Sequence, residues 1–557
     1  MMARYGDVAA VAVVAIAGLL TVAGGAAARE PATAPRAPIA ASARASAFEH
    51  LTFLPLVLDA ADRIPAATAR ATTAASTTAS PLATADATPS GATATPTDAP
   101  ADPTVPPEPT PSGTASQAPP LGTATSTPEG CAPPPPFHAG LVPARTVWIA
   151  QDGDDQAGDG SPGRPFATLR RAAREAAPGT ALRLRPGRYA GGTYLDDLAG
   201  TAGAPIWIGG DPGGGMPDGP DGVVLEGASE GLHLARARFV VVHDLTVQGA
   251  SGNGINADDG GEVDGPPTSH DLVFERVTIR AIGGTGNQDC LKLSGLRDVV
   301  VADSTFERCG GGGSGSGIDM VGVHRARIHG NRFTDMSGNA VQAKGGSTDI
   351  EIRANRMLRA GARAVNMGGS TGLQFFRPPL DPAAENAEAR DVRVVANLIE
   401  GSQAPVAFVG CVGCLAANNT LIEPETWVLR ILQETTTGGG FSFSPARDGR
   451  FVNNLIVFRR GQLRTTANVG GGTAPETFTF ASNLWYASDA PERSAPELPV
   501  AETGAVIGRD PRLGPDGAIG AGSPAAGAGV RVPEVGGDLT GRCYADPPSI
   551  GAREVDG

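Results

Sequence analysis

Between residues 289 and 367 a short alternation of apolar and polar residues keeps returning. Leu291-Lys292-Leu293, Ile318-Asp319-Met320, Val341-Gln342-Ala343 and Val365-Asn366-Met367 each set one polar residue between two apolar ones. Their centres stand at 292, 319, 342 and 366, steps of 27, 23 and 24 residues. The first two centres lie 14 positions before Phe306 and Phe333, and the third 15 before Met357. Alternation with period two is the mark of a strand with one face buried. A repeat near 24 residues, rich in β-branched residues and punctuated by Gly and Asn, predicts an all-β solenoid in which each copy is one coil.

The template extends in both directions. Leu232-His233-Leu234 and Ile255-Asn256-Ala257 precede the central copies, and Val406-Ala407-Phe408 and Leu429-Arg430-Ile431 follow them. A second register runs beside the first. Asn331, Asn355, Asn397, Asn419 and Asn454 each stand two residues before a closing apolar residue: Phe333, Met357, Ile399, Leu421 and Ile456. Asn at one turn position of successive coils can stack into a hydrogen-bonded ladder that satisfies buried turn backbone. With these features, residues from about 145 to 555 resemble the right-handed parallel β-helix of the pectate-lyase-like superfamily. That resemblance implies a secreted, carbohydrate-active protein, and it speaks more strongly for fold than for activity.

Around this core the chain divides. The apolar run from Val8 to Ala28, after Arg4 and before Arg29, reads as a signal segment over 1–28, with an uncleaved anchor as the alternative. Residues 29–145 read as a disordered linker rich in Thr, Pro and Ala, suited to a spacer at the cell surface. Residues 146–225 should hold an N-terminal cap, with a helix from Pro165 to Ala177, and the first coils. The helix would cover the open end of the solenoid. The parallel β-helix itself is expected over 226–490 and a closing segment over 491–557. Of the six cysteines, Cys131 and Cys543 flank the folded part, Cys290 and Cys309 share a repeat, and Cys411 and Cys414 form a C-x-x-C. Export permits disulfides, but their pairing stays open.

The chemistry should lie on the outward column. With the flanking apolar residues inside, His233, Asn256, Lys292, Asp319, Gln342, Asn366, Ala407 and Arg430 face out, one per coil of about 4.8 Å. Longer coils at 258–270 and 368–390 border the column, the second carrying Phe375, Phe376 and Arg377. Walls beside a polar strip make a groove for a linear polymer. The chain has two lysines, Lys292 and Lys344, and both fall beside this strip.

In similar lyases a Lys or Arg on this strip removes the proton at C5 of a uronate, and a cation or Ca²⁺ neutralises the carboxylate. The resemblance therefore implies Lys344 as base and Lys292 as second candidate, with Arg363 holding a substrate carboxylate or tuning the base. Asp319, Gln342, Asn366, Phe376, Arg377 and Arg430 would contact the polymer. Asp258, Asp259 and Asp289 are the candidate Ca²⁺ ligands. No Gly-His-Gly or Asp-Pro-His of related hydrolases and epimerases is present, and the net charge of −14 argues against nucleic acid. The expectation is a monomeric, secreted lyase-like enzyme acting on an acidic polysaccharide. The alternative is a glycan-binding or cell-surface β-helix without catalysis.

Overall fold

The structure, a computed structural model, describes residues 131–555 except 211–221, 264–267, 285 and 437. The expected signal segment and most of the expected linker lie outside the described residues.

The repeats fold as successive coils of a parallel β-helix. One face is a ten-stranded parallel sheet running from Thr193–Asp196 to Ala467–Val469. Its register follows the triplets: Leu291 pairs with Ile318, Ile318 with Val341, Val341 with Val365, and Val365 with Val406. The remaining faces form one 23-stranded sheet. Strands such as Arg238–Gln248 and Ser269–Arg280 pass round the corner unbroken in the early coils.

In later coils that corner breaks the strand, and the Asn ladder occupies it. The residue before each ladder position takes a left-handed conformation, as Gly330, Ala354, Ala396, Asn418, Asn453 and Ser482 do. That turn aims the next side chain along the helix axis. Asn331, Asn355, Asn397, Asn419 and Asn454 each donate from Nδ2 to Oδ1 of the next ladder residue at 3.0 Å, and the last receiver is Asn483. Asn483 in turn donates to Glu502 at 2.7 Å, so a carboxylate ends the row. The closing apolar residues stack inside: Phe306 on Phe333 with ring centroids 4.8 Å apart, then Met357, Ile399, Leu421, Ile456 and Trp485 in register.

Two expectations need correction. The cap helix spans only Leu169–Ala173, because Phe166 pairs with Ile149 and Thr168 caps the helix by accepting from the Arg171 amide. The linker does not reach 145, since residues 131–144 form a strap on the body. Phe137 and Leu141 pack on Trp207, Val241, Val273 and Val300, and Arg327 donates to the Pro134 carbonyl at 2.8 Å. Two apolar anchors within a Pro-rich stretch contribute to this docking. The closing segment runs back along the outside of the coils. Val532 packs on Val395 and Leu415, and Ile550 on Leu455 and Leu484. Disulfides join Cys131 to Cys543, Cys290 to Cys309 and Cys411 to Cys414.

Candidate functional site

Register places Tyr194, His233, Asn256, Lys292, Asp319, Gln342, Asn366, Ala407, Arg430 and Asn468 in one column across the ten-stranded sheet. At its centre both lysines converge. Lys292 ion-pairs with Asp319 and stands 3.4 Å from Asp289, while Lys344 Nζ lies 3.4 Å from Asp319 and 3.4 Å from Gln342 Oε1. The strand Asn339–Lys344 continues past Ala343, so Lys344 shares the face of Gln342.

Lys292–Asp319 is therefore no surface pair. Asp319 and Asp289 are both fully buried beneath the lysines. Burial pulls the Lys292 ammonium down, but Asp319 and Asp289 more than offset it and its affinity for the proton rises. Burial pushes the Asp319 carboxyl up, yet Lys292 and Lys344 outweigh that and hold it below its usual range. Asp289 is the opposite case: burial and then the negative Asp319 push it up to about 7. One oxygen of Asp289 accepts from the Ser316 amide at 2.7 Å, and the other faces Lys292.

Above the lysines lies a cleft of about 370 Å³, lined by Asn287, Lys292, Ser294, Val321, Lys344, Ser370, Thr371, Gly372, Phe375 and Arg377. Its wall is the long 368–390 coil, pinned at three points. Glu388, buried, accepts from the Gly345 and Thr371 amides at 2.9 Å each and from the Thr371 hydroxyl at 2.7 Å. Arg377 grips Asp259 through two hydrogen bonds. Phe376 is only 2% exposed and packs 5.5 Å from the Phe443 ring. Phe376 thus anchors the wall and offers no contact to a polymer; its neighbour Phe375, 54% exposed, faces the cleft. Opposite roles for adjacent residues follow from the short helical turn Leu373–Phe375, after which the chain extends.

Arg363 does emerge on the outer face, against strict alternation. Ala364 and Val365 both enter the core, and the bend brings Arg363 to 3.4 Å from Asn366 Oδ1. Its other nitrogen is paired with Glu434. Arg430 lies 4.3 Å over the Trp427 ring and donates to Asn468 at 2.9 Å.

The three aspartates proposed for Ca²⁺ do not converge. Asp258 is held by His233 and Asn256, Asp259 by Arg377, and Asp289 by Lys292. Among the described residues no group of three or more His, Cys, Asp or Glu is arranged to hold a metal ion. An imidazole, a guanidinium and an ammonium group already occupy Asp258, Asp259 and Asp289 in turn, so the three do not form a donor set for a hard cation.

Sequence reading passed over Glu230. His233 stands 2.8 Å from both Glu230 and Asp258, and the Tyr194 ring meets it edge-on at 4.8 Å. Burial lowers the imidazole's affinity for its proton, but the two carboxylates prevail and raise it to about 9.

Residues 222–377 match the family described as "Right handed beta helix region". The chain is a right-handed parallel β-helix. Solved structures of similar architecture include pectate lyase Pel9A (14% identity, TM-score 0.46, covering 75% of this chain and 98% of that one). A rhamnogalacturonan lyase (13%, 0.40, 64% and 90%) and an alginate lyase from Paenibacillus sp. str. FPU-7 (15%, 0.35, 59% and 99%) are further examples. No curated protein matches the sequence. At these identities the likeness is one of fold, and the chemistry of this β-helix has to be argued from its own residues.

Proposed function

We propose that this β-helix is an exported polysaccharide lyase-like enzyme that cleaves an acidic glycan by β-elimination. The observation carrying this reading is the convergence of the chain's two lysines on Asp319 at the floor of a walled cleft. Three disulfides support an oxidising compartment outside the cytosol.

In this reading the two lysines divide the work. Lys292, kept charged by two carboxylates, offers a fixed positive charge to the substrate carboxylate, whose negative charge grows as the C5 proton leaves. Lys344 touches Asp319 only at 3.4 Å and lines the cleft, which suits it to take the C5 proton. The C5–H electrons form the C4=C5 double bond, the C4–O4 bond breaks, and Lys344 can return the proton to the departing oxygen on the same face. No step passes through Ca²⁺. Phe375 and Thr371 would border the bound sugar from the wall.

The non-catalytic glycan-binding alternative draws on one observation. Lys344 already has two polar partners at 3.4 Å, as a purely structural lysine would. The test is incubation of the full chain with polygalacturonate, alginate and glycosaminoglycans, with and without chelator, following ultraviolet absorbance of the unsaturated ends. Absorbance that grows with wild type and not with Lys344→Ala supports the lyase. Binding without new unsaturated ends on any polymer moves the assignment to the alternative.

A further inference from the structure

The column is electrically lopsided. At the Tyr194 end His233 is flanked by two carboxylates, Glu230 and Asp258. In the centre the two lysines face Asp289 and Asp319. At the far end Arg363 and Arg430 share a single acid. Glu434 pairs with Arg363, and among the described residues Arg430 has no carboxylate within ion-pair range. Arg430 is nonetheless held firmly, by Asn468 on its Nε and by the Trp427 ring on its face. These contacts leave its terminal nitrogens as donors. Burial first, and then the positive Arg363, hold its affinity for the proton below the usual range against the pull of Glu434.

A half-buried arginine fixed by a ring and an amide, with its terminal nitrogens unengaged by any carboxylate among the described residues, is open to an anion from outside. Register sets Arg430 five coils beyond Lys292, about 24 Å along the strip. Resting on the acidic-glycan reading, we infer that Arg363 and Arg430 form a second anion subsite, which takes a carboxylate or sulfate group of the same polymer several sugar units from the cleft. Trp427 and Asn468 are its positioning residues. The ligand is then an extended polyanion rather than a chain with one charged unit, and its charged groups lie toward the Arg430 end.

The experiment measures binding by the full chain carrying Lys344→Ala, which removes turnover, with and without Arg430→Gln. Trimers and octamers of galacturonate, octamers derived from heparin and a neutral xylan octamer serve as probes. The background protein should bind an anionic octamer about tenfold more tightly than the trimer. Arg430→Gln should erase that gain and leave trimer binding unchanged, and the neutral octamer should show no such preference. Galacturonate and heparin octamers distinguish a carboxylate from a sulfate. Trp427→Leu, which keeps the charge but removes the ring, should lose part of the gain and guards against a poorly folded Arg430 variant. Equal octamer binding with and without Arg430→Gln overturns the subsite, as does absence of any octamer preference in the background protein. Lyase turnover with an indifferent Arg430 sinks the subsite alone; an Arg430-dependent octamer preference without turnover sinks the lyase reading alone.

Discussion

Arg377 reaches Asp259 across 118 positions of sequence, its Nε 2.7 Å from one carboxylate oxygen and its Nη2 3.3 Å from the other. The pair ties the cleft wall to an earlier coil. Arg377 also packs its Cβ on Gly322, where any side chain would collide with it. Asp259→Ala would leave a guanidinium nearly buried and unpaired, at a cost of roughly 3 kcal/mol. The expected outcome is a lower melting temperature and new protease cleavage within 368–388. A double-mutant cycle with Arg377→Ala should show strong coupling; additive effects would mean that the wall is held elsewhere.

Lys344→Ala and Lys292→Ala should differ in kind. Removing Lys344 leaves Asp319 with Lys292, so stability should fall by about 1 kcal/mol while turnover is lost. Removing Lys292 strips the partner shared by two buried carboxylates and should cost about 3 kcal/mol or more. Chemical denaturation of both variants beside wild type measures this order, and the reverse order would contradict the charge arrangement.

His233 makes stability depend on pH in a set direction. Its folded affinity for the proton, about 9, exceeds the ordinary value of 6.5 because Glu230 and Asp258 flank it. The contribution is therefore complete below pH 6.5 and disappears as pH rises toward 9. Melting temperature should decline across that window in wild type and decline less in His233→Gln. Parallel curves for the two proteins would show that Tyr194, Asn256 and the two carboxylates do not act through this ring.

The Asn ladder should be unforgiving at its middle. Asn397→Ala removes the acceptor of the Asn355 amide and side chain and a donor to the Ile352 carbonyl, all buried. Loss of about 3 kcal/mol is expected, with Asn397→Asp less costly on the acceptor side only. A change under about 0.5 kcal/mol, as for an ordinary surface substitution, would show that water replaces the ladder.

The column was legible in advance because triplet alternation and one fixed sheet register leave a single set of outward residues, Lys292, Asp319, Gln342 and Asn366 among them. The ladder was legible for the same reason, apart from its end at Asn483 and at Glu502, which is not an asparagine. Local features were less readable. Phe375 and Phe376 look alike in sequence, and only the turn between them decides which is buried. Glu388 and Glu434 act across 43 and 71 positions, on Gly345 and Arg363, and no periodicity links such partners. Asp258 and Asp259 read as free carboxylates because their partners His233 and Arg377 lie on other coils, and Asp289 because its burial beneath Lys292, three residues on, is set by the bend between them.

The strap fixes where mechanical force enters the molecule. Tension on the chain upstream of Cys131 meets the covalent link to Cys543 first, together with the Arg353 contact to the Cys131 carbonyl. The load then passes into the C-terminal segment lying along the coils, and the cap strand Arg145–Ile149 at the other end of the strap stays slack. A pull applied at Cys131 would load the body sideways at its middle coils instead of unzipping it coil by coil from the capped end.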